Sequence, residues 1–319
     1  MPAPRVGFGV SGGMHPERAY PPEEMYAFAE QAERLGYDSL WLGDHVAFHG
    51  PYPESLTTLA AFAARTRRIT LGTCVYLLPL RRPAIAAKTA ATVDFLSGGG
   101  RFVFGVGVGG EGKAEFELCG VPAKERGARM DESIEIVRKL WTGEPVSHAG
   151  RFWTFGEVRQ SPPPATPGGP PIWIGGRSEA AQRRAARAGD GWVSYLFSAR
   201  RYAEALDRMR GWAAEAGREL KIDEGKWTPA HHAFIYMHKD AGEALRLGTV
   251  NLSRRYGMDF TGIAERYLFY GPPERCLEQI EEFKRAGARH FIFKYAGPPE
   301  EEMDQMARLA EDVVARARA

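Results

Sequence analysis

The sequence predicts a (β/α)8 barrel, an α/β fold, and three observations carry that expectation. Eight apolar runs of strand length alternate with segments of helical spacing along the 319 residues. Several runs are apolar on both parities, as in FVFGVGV at 102–108, which suits parallel strands covered on both faces. The composition, 44% hydrophobic and 26% charged, suits a globular protein with a sizeable interior. Residues 1–319 read as one domain. An open, doubly wound sheet is the alternative arrangement of the same alternation.

The first run, Val6 to Val10, precedes a helix with Pro21 and Pro22 at its start and Glu23 and Glu24 at its positive end. Met25, Phe28, Ala32 and Leu35 line one face of it, and Gly36 supplies a left-handed stop. Ser39 to Gly43 leads to Leu56, Leu59 and Ala63; Ile69 to Val75 leads to Ile85, Thr89, Val93 and Leu96. Phe102 to Val108 leads to Met130, Ile134, Val137 and Trp141. An excursion follows over residues 143–171, ending in SPPPATPGGPP, whose prolines lack backbone donors and suit a surface loop. Ile172 to Ile174 precedes a helix at Ser178 to Ala188, and Gly191 to Tyr195 precedes one at Ala199 to Ala216. Ala233 to Met237 and His290 to Lys294 flank a helix at Pro273 to Ala286, and Glu300 to Arg316 closes the pattern. Segments 46–53, 111–127 and 248–270 read as loops that shape a pocket.

Forty-two Lys and Arg against 40 Asp and Glu give a net charge of +2, so no global field points to nucleic acid or an anionic membrane. Cys74, Cys119 and Cys276 are far apart and form no C-x-x-C, which argues against a disulfide framework and a structural zinc site and suits a reducing cytoplasm. The opening MPAPRVGFGV matches neither a signal peptide nor a membrane span. No metal site is expected: His45 and His49 lie on a strand exit, and His231 and His232 point to opposite faces of a strand.

A barrel of this kind collects chemistry at the C-terminal ends of its strands. LWLGDH places Asp44 and His45 where the second strand runs out. The run GVGVGGEG, with Gly107 and Gly109, lets a planar ligand approach the backbone, or simply forms a tight rim. Gly175, Gly176, Arg177 and Ser178 lie between strand and helix, where backbone N–H groups, a hydroxyl and a guanidinium suit an anion such as phosphate. The plainer reading of Ser178 is a helix cap.

LWLGDH, LGTCVYLLPLRRP, RFVFGVGVGGEG, CGVPAKERGARMDESIEIVRKLWTGEPVSHAGRFW, PPIWIGGRSEAAQRRAARAGDGWV and GPPERCLEQI, in that order, resemble the bacterial luciferase-like flavin and deazaflavin enzymes over nearly the whole chain. The resemblance implies a TIM barrel of the luciferase-like type. Its Asp-His pair is similar to the branch that uses coenzyme F(420), an 8-hydroxy-5-deazaflavin, to transfer hydride to or from a small organic substrate. Flavin monooxygenases of the family often carry Glu-His-His there, so an FMN-dependent monooxygenase is the second reading and a non-catalytic flavin-binding protein the third.

Under the resemblance His45 exchanges a proton, and Asp44 orients its imidazole or bonds the cofactor. Thr73, Cys74 and Val75 brace the tricyclic ring, with a cis peptide between Cys74 and Val75. Gly175, Gly176, Arg177 and Ser178 hold the phosphate, and Glu111 maps near an acid used in some members. Arg81, Arg82 and Lys113 suit the phosphate and polyglutamate tail, and the protein is expected as a homodimer.

Overall fold

A computed structural model of the protein describes residues 6–12, 20–48, 50–110 and 112–318. Glu111 and His49 therefore lie outside the described residues. Eight parallel strands are present: β1 (Gly7–Ser11), β2 (Ser39–Leu42), β3 (Thr70–Thr73), β4 (Phe102–Gly107), β5 (Ile172–Gly175), β6 (Gly191–Tyr195), β7 (Thr228–Met237) and β8 (His290–Tyr295). Each pairs with the next, and β8 pairs with β1, so the sheet closes into a barrel with no open edge. The expected (β/α)8 barrel is what the chain forms.

Closure explains why the strands are apolar on both parities. On β8, Phe291 and Phe293 face outward and stack with Phe8 of β1 under the helices. Ile292 faces inward and packs with Trp41, Val103, Trp173, Val193 and Ala230. The Trp41 and Trp173 rings stack at 5.0 Å, and below them His290 Nε2 and Trp41 Nε1 both meet Ser39 Oγ at 2.7 Å. These side chains plug the barrel interior from its N-terminal end to mid-height, which leaves the C-terminal rim for chemistry.

Helices α1 (Pro22–Arg34), α2 (Ser55–Arg65), α3 (Pro83–Leu96), α4 (Lys113–Leu118), α5 (Arg126–Trp141), α6 (Glu179–Ala188) and α7 (Ala199–Glu215) follow the first six strands. α1 begins with proline, carries Glu23 and Glu24 in its first turn, and stops at Gly36 with φ +79, as its residue order predicts. α8 (Ala241–Tyr256), α9 (Thr261–Tyr267), α10 (Pro273–Arg285) and α11 (Glu302–Arg308) complete the ring. The described residues contain no helix long and apolar enough to cross a membrane.

Several expectations are corrected. Segment 111–127 holds α4, and 248–270 holds the end of α8 and all of α9, so neither is a simple loop. α8 escapes a periodicity reading because Asn251 and Arg255 sit on its buried face beside Ala244 and Leu252. It covers a second apolar cluster built on Phe234, Tyr236 and Tyr295 at the rim. β7 starts at Thr228 rather than Ala233, and Phe269–Gly271 adds a short parallel strand to its end. Residues 143–171 are an excursion with an antiparallel hairpin, Val146–Ala149 with Thr154–Val158. Its proline loop is pinned to α3: the buried Asp94 carboxylate accepts from Thr166 N and Thr166 Oγ1, both at 2.7 Å.

Candidate active site at the barrel mouth

At the exit of β2, Asp44 turns inward to the wall. Its carboxylate meets Arg81 Nη1 at 2.6 Å and Nη2 at 2.9 Å, Leu77 N at 2.9 Å and Ser55 Oγ at 3.2 Å. Asp44 is 3% exposed, and burial raises its carboxyl while the Arg81 guanidinium and the Leu77 N–H pull it back. Arg81 also lies 4.5 Å over the Tyr76 ring. Its guanidinium, expected to serve an anionic tail, is therefore engaged inside the wall, whereas Arg82 is exposed. Asp44 caps no helix, since α2 is capped by Glu54.

The next residue points the other way. His45 Nδ1 lies 3.2 Å from Glu115 Oε2, on α4, and Glu115 Oε1 accepts from Val46 N at 2.7 Å and Ala47 N at 3.1 Å. The carboxylate beside the imidazole is thus Glu115, 3% exposed, and not Asp44. The His45 ring stacks on Phe48 at 4.0 Å between centroids, meets Tyr52 edge-on at 5.3 Å, and remains one-fifth exposed.

Beyond β3 the chain bulges. Thr73 Oγ1 donates to Gly105 O at 2.7 Å, Cys74 N donates to Leu42 O at 2.7 Å, and the Cys74–Val75 peptide is cis, as the resemblance implies. The strand then resumes briefly at Tyr76–Leu77, paired with β4. The Val75 side chain wedges between Gly107 and Gly175, where a Cβ on either glycine would collide with its methyl groups. A Cβ at Gly105 would strike Thr73 O. The glycines of β4 and β5 therefore make room for the protein's own bulge, and the bulge is what faces the mouth. Gly109, at φ +66, sits against Leu77 and Phe116.

At the end of β5, Gly176 has φ +141, a conformation that favours glycine, and Ser178 Oγ accepts from Ala181 N at 3.3 Å as the N-cap of α6. Arg177 is exposed, with its guanidinium 5.6 Å over the Tyr195 ring. Among the described residues the guanidinium has no ion pair. Glycine turn, helix start and accessible cation thus share one corner of the rim.

The floor of the mouth carries groups that sequence reading left out. Lys294 lies on the inward parity of β8, and burial lowers it to about 8, helped by Arg255 and opposed by Glu302 and Cys74. On β7, burial together with Lys294 and Arg255 lowers His232 to about 3, so its ring is neutral. Burial pushes the Cys74 thiol up to about 12, opposed by Lys294, so Cys74 is a packing residue against the interior cluster rather than a thiolate. His231 faces outward, bonded to Ser194 Oγ at 2.7 Å and stacked on Phe283. One signal for Lys294 was present in the sequence, a lone charge inside the apolar run HFIFKY. Glu115 gave none, because an acid inside 111–127, a stretch that reads as a loop, reads as a solvated one.

The profile of the family described as luciferase-like monooxygenase matches residues 6–290. An F(420)-dependent glucose-6-phosphate dehydrogenase of Amycolatopsis mediterranei is 28% identical, covering 99% of each chain. A solved monooxygenase from Streptomyces bottropensis superposes with a TM-score of 0.82 at 27% identity, covering 98% of this chain and 99% of its own. An F(420)-dependent secondary alcohol dehydrogenase, solved with an F(420)–acetone adduct, shares the fold with a TM-score of 0.81 at 21% identity, covering 98% of this chain and 99% of that one.

Proposed function

We propose that this chain, which belongs to the luciferase-like monooxygenase family, works in its F(420)-dependent oxidoreductase branch and moves hydride between coenzyme F(420) and a small organic substrate. The observation that carries this reading is the juxtaposition, at one rim, of a backbone bulge braced by Val75, a histidine paired to a buried carboxylate, and an exposed anion corner. The residues present fit the cofactor. Gly107 and Gly175 seat the Thr73–Cys74–Val75 bulge against which a planar ring can lie, with Gly109 at its edge. Gly176, Arg177 and Ser178 suit the phosphate. When bound, the deazaflavin accepts or returns hydride at its C5. His45 holds or releases the proton that accompanies that transfer, and Asp44 ties the β2 exit to Arg81.

We read residues 1–319 as one barrel unit working in the cytoplasm as a homodimer. Ile85, Phe95 and Leu96 are exposed along α3 and suit a partner surface.

Titration of the apoprotein, followed by the fluorescence of its seven tryptophans, tests the cofactor. F(420) is expected to bind more tightly than FMN at moderate salt. The second reading, an FMN-dependent monooxygenase, takes its support from the similarity to the solved monooxygenase and wins if FMN binds as tightly or more tightly.

A second measurement isolates the phosphate. Arg177→Ala is expected to weaken the intact cofactor by about tenfold, the size of one solvent-exposed charge-assisted hydrogen bond, and to leave a phosphate-free analogue nearly unchanged. Equal losses for both ligands would place Arg177 outside the anion corner.

A further inference from the structure

We propose that Glu115 is the positioning residue that sets the tautomer of His45, making α4 part of the proton-transfer apparatus. The inference rests on the reading of His45 as the group that exchanges a proton. It begins from what the three partners of Glu115 can do. The Val46 and Ala47 N–H groups can only donate, and both meet Oε1, at 2.7 and 3.1 Å. That oxygen is therefore held as an acceptor. Oε2 then faces His45 Nδ1 at 3.2 Å, and a carboxylate accepts there too, so Nδ1 carries the ring proton. In the neutral ring the lone pair consequently sits on Nε2.

The alternative orienting group is spent. Both Asp44 oxygens are taken by Arg81, with Leu77 N and Ser55 Oγ as further donors. The ring plane is held separately, by stacking on Phe48 and edge contact with Tyr52. Stacking fixes where the imidazole lies but is indifferent to which nitrogen bears the proton. Among the described residues, Glu115 is the group that decides that.

The consequence is a defined direction of proton flow. Were the substrate an alcohol, its hydroxyl proton would pass to Nε2 while a bound deazaflavin would supply the hydride acceptor, leaving a carbonyl and an imidazolium whose Nδ1–H faces the Glu115 carboxylate. In the reverse direction the Nε2 proton returns to the carbonyl oxygen as hydride reaches the carbon. With the opposite tautomer Nε2 would already be protonated, and the neutral ring could accept nothing from the substrate.

Glu115→Gln converts this argument into an experiment. The two backbone donors keep the amide oxygen on their side, so the amide NH2 turns toward Nδ1. That nitrogen must then accept, and the proton moves to Nε2. Nitrogen-15 NMR of the His45 ring in the isolated protein, at an alkaline pH where the ring is neutral, is expected to show Nδ1–H in the wild type and Nε2–H in Glu115→Gln. Turnover of the variant is expected to fall by about 10²-fold, with cofactor affinity changed less than about threefold. Glu115→Asp, which keeps a carboxylate, is expected to retain Nδ1–H and recover part of the rate.

An Nε2–H ring in the wild type overturns the proposal without any variant, so a Glu115→Gln protein that fails to fold leaves it decidable. An unchanged tautomer in a folded Glu115→Gln protein overturns it as well. Failure of the underlying reading looks different: His45→Ala would then turn over normally, whatever the NMR shows.

Discussion

Replacing His45 with alanine is expected to lower hydride-transfer turnover by about 10²- to 10⁴-fold, the usual range for a positioned acid or base, while cofactor affinity stays within a few-fold. The asymmetry follows from where the ring sits. Its stacking partners are the protein's own Phe48 and Tyr52, and its Nδ1 is committed to Glu115, so little of its surface is left to hold a ligand. What remains is Nε2, a single atom suited to proton exchange. Lys294 and His232 lie deeper on the inward faces of β8 and β7, where burial lowers His232 to about 3, leaving its ring neutral, and lowers Lys294 to about 8. The test is a single-turnover measurement with the chemical step rate-limiting. Wild-type turnover in His45→Ala would remove His45 from the chemistry and leave it a packing residue of the rim.

The parts of this molecule that were legible in the sequence are those whose cause is local. Strands covered on both faces must be apolar on both parities, and β4 and β8 show that directly in FVFGVG and HFIFKY. Helix α1 announces its start by proline and acid and its end by Gly36. The first half of β7 was not legible, because its TPAHH carries polar residues that find partners only after folding: His231 meets Ser194 of β6, and His232 the Lys294 side of the mouth. Helix α8 was hidden for a similar reason, its buried face holding Asn251 and Arg255.

The site divides along the same line. That Asp44 and His45 are special could be read from their place at a strand exit. That they have separate partners could not, since Arg81 lies 37 residues downstream of Asp44 and Glu115 70 residues downstream of His45. The glycine run illustrates the limit of a motif. GVGVGG does signal close approach, but Gly105 and Gly107 are approached by Thr73 O and Val75, so the spacing reports the bulge of β3 rather than a ligand. No pattern within one segment distinguishes those two tenants.

Asp44→Ala is expected to destabilise the protein by about 3–5 kcal/mol, the cost of removing one partner of a buried ion pair. The size comes from what is left behind. Arg81, whose side chain is 15% exposed, would keep its charge in the wall with, among the described residues, the Leu77 carbonyl at 3.2 Å and the Tyr76 ring to receive it, and the Leu77 N–H would lose its acceptor. The intact pair is not thereby a large net source of stability. Burial raises the Asp44 carboxyl despite the guanidinium beside it, which says that desolvation outweighs the attraction. Removing both charges should accordingly cost much less than removing one: Asp44→Leu combined with Arg81→Met is expected within about 1–2 kcal/mol of the wild type. Urea unfolding of the two variants, compared at equal m-values, measures the difference. A single variant within 1 kcal/mol of the wild type, or a double variant no better than the single, would mean that the β2 exit is held by something other than this pair.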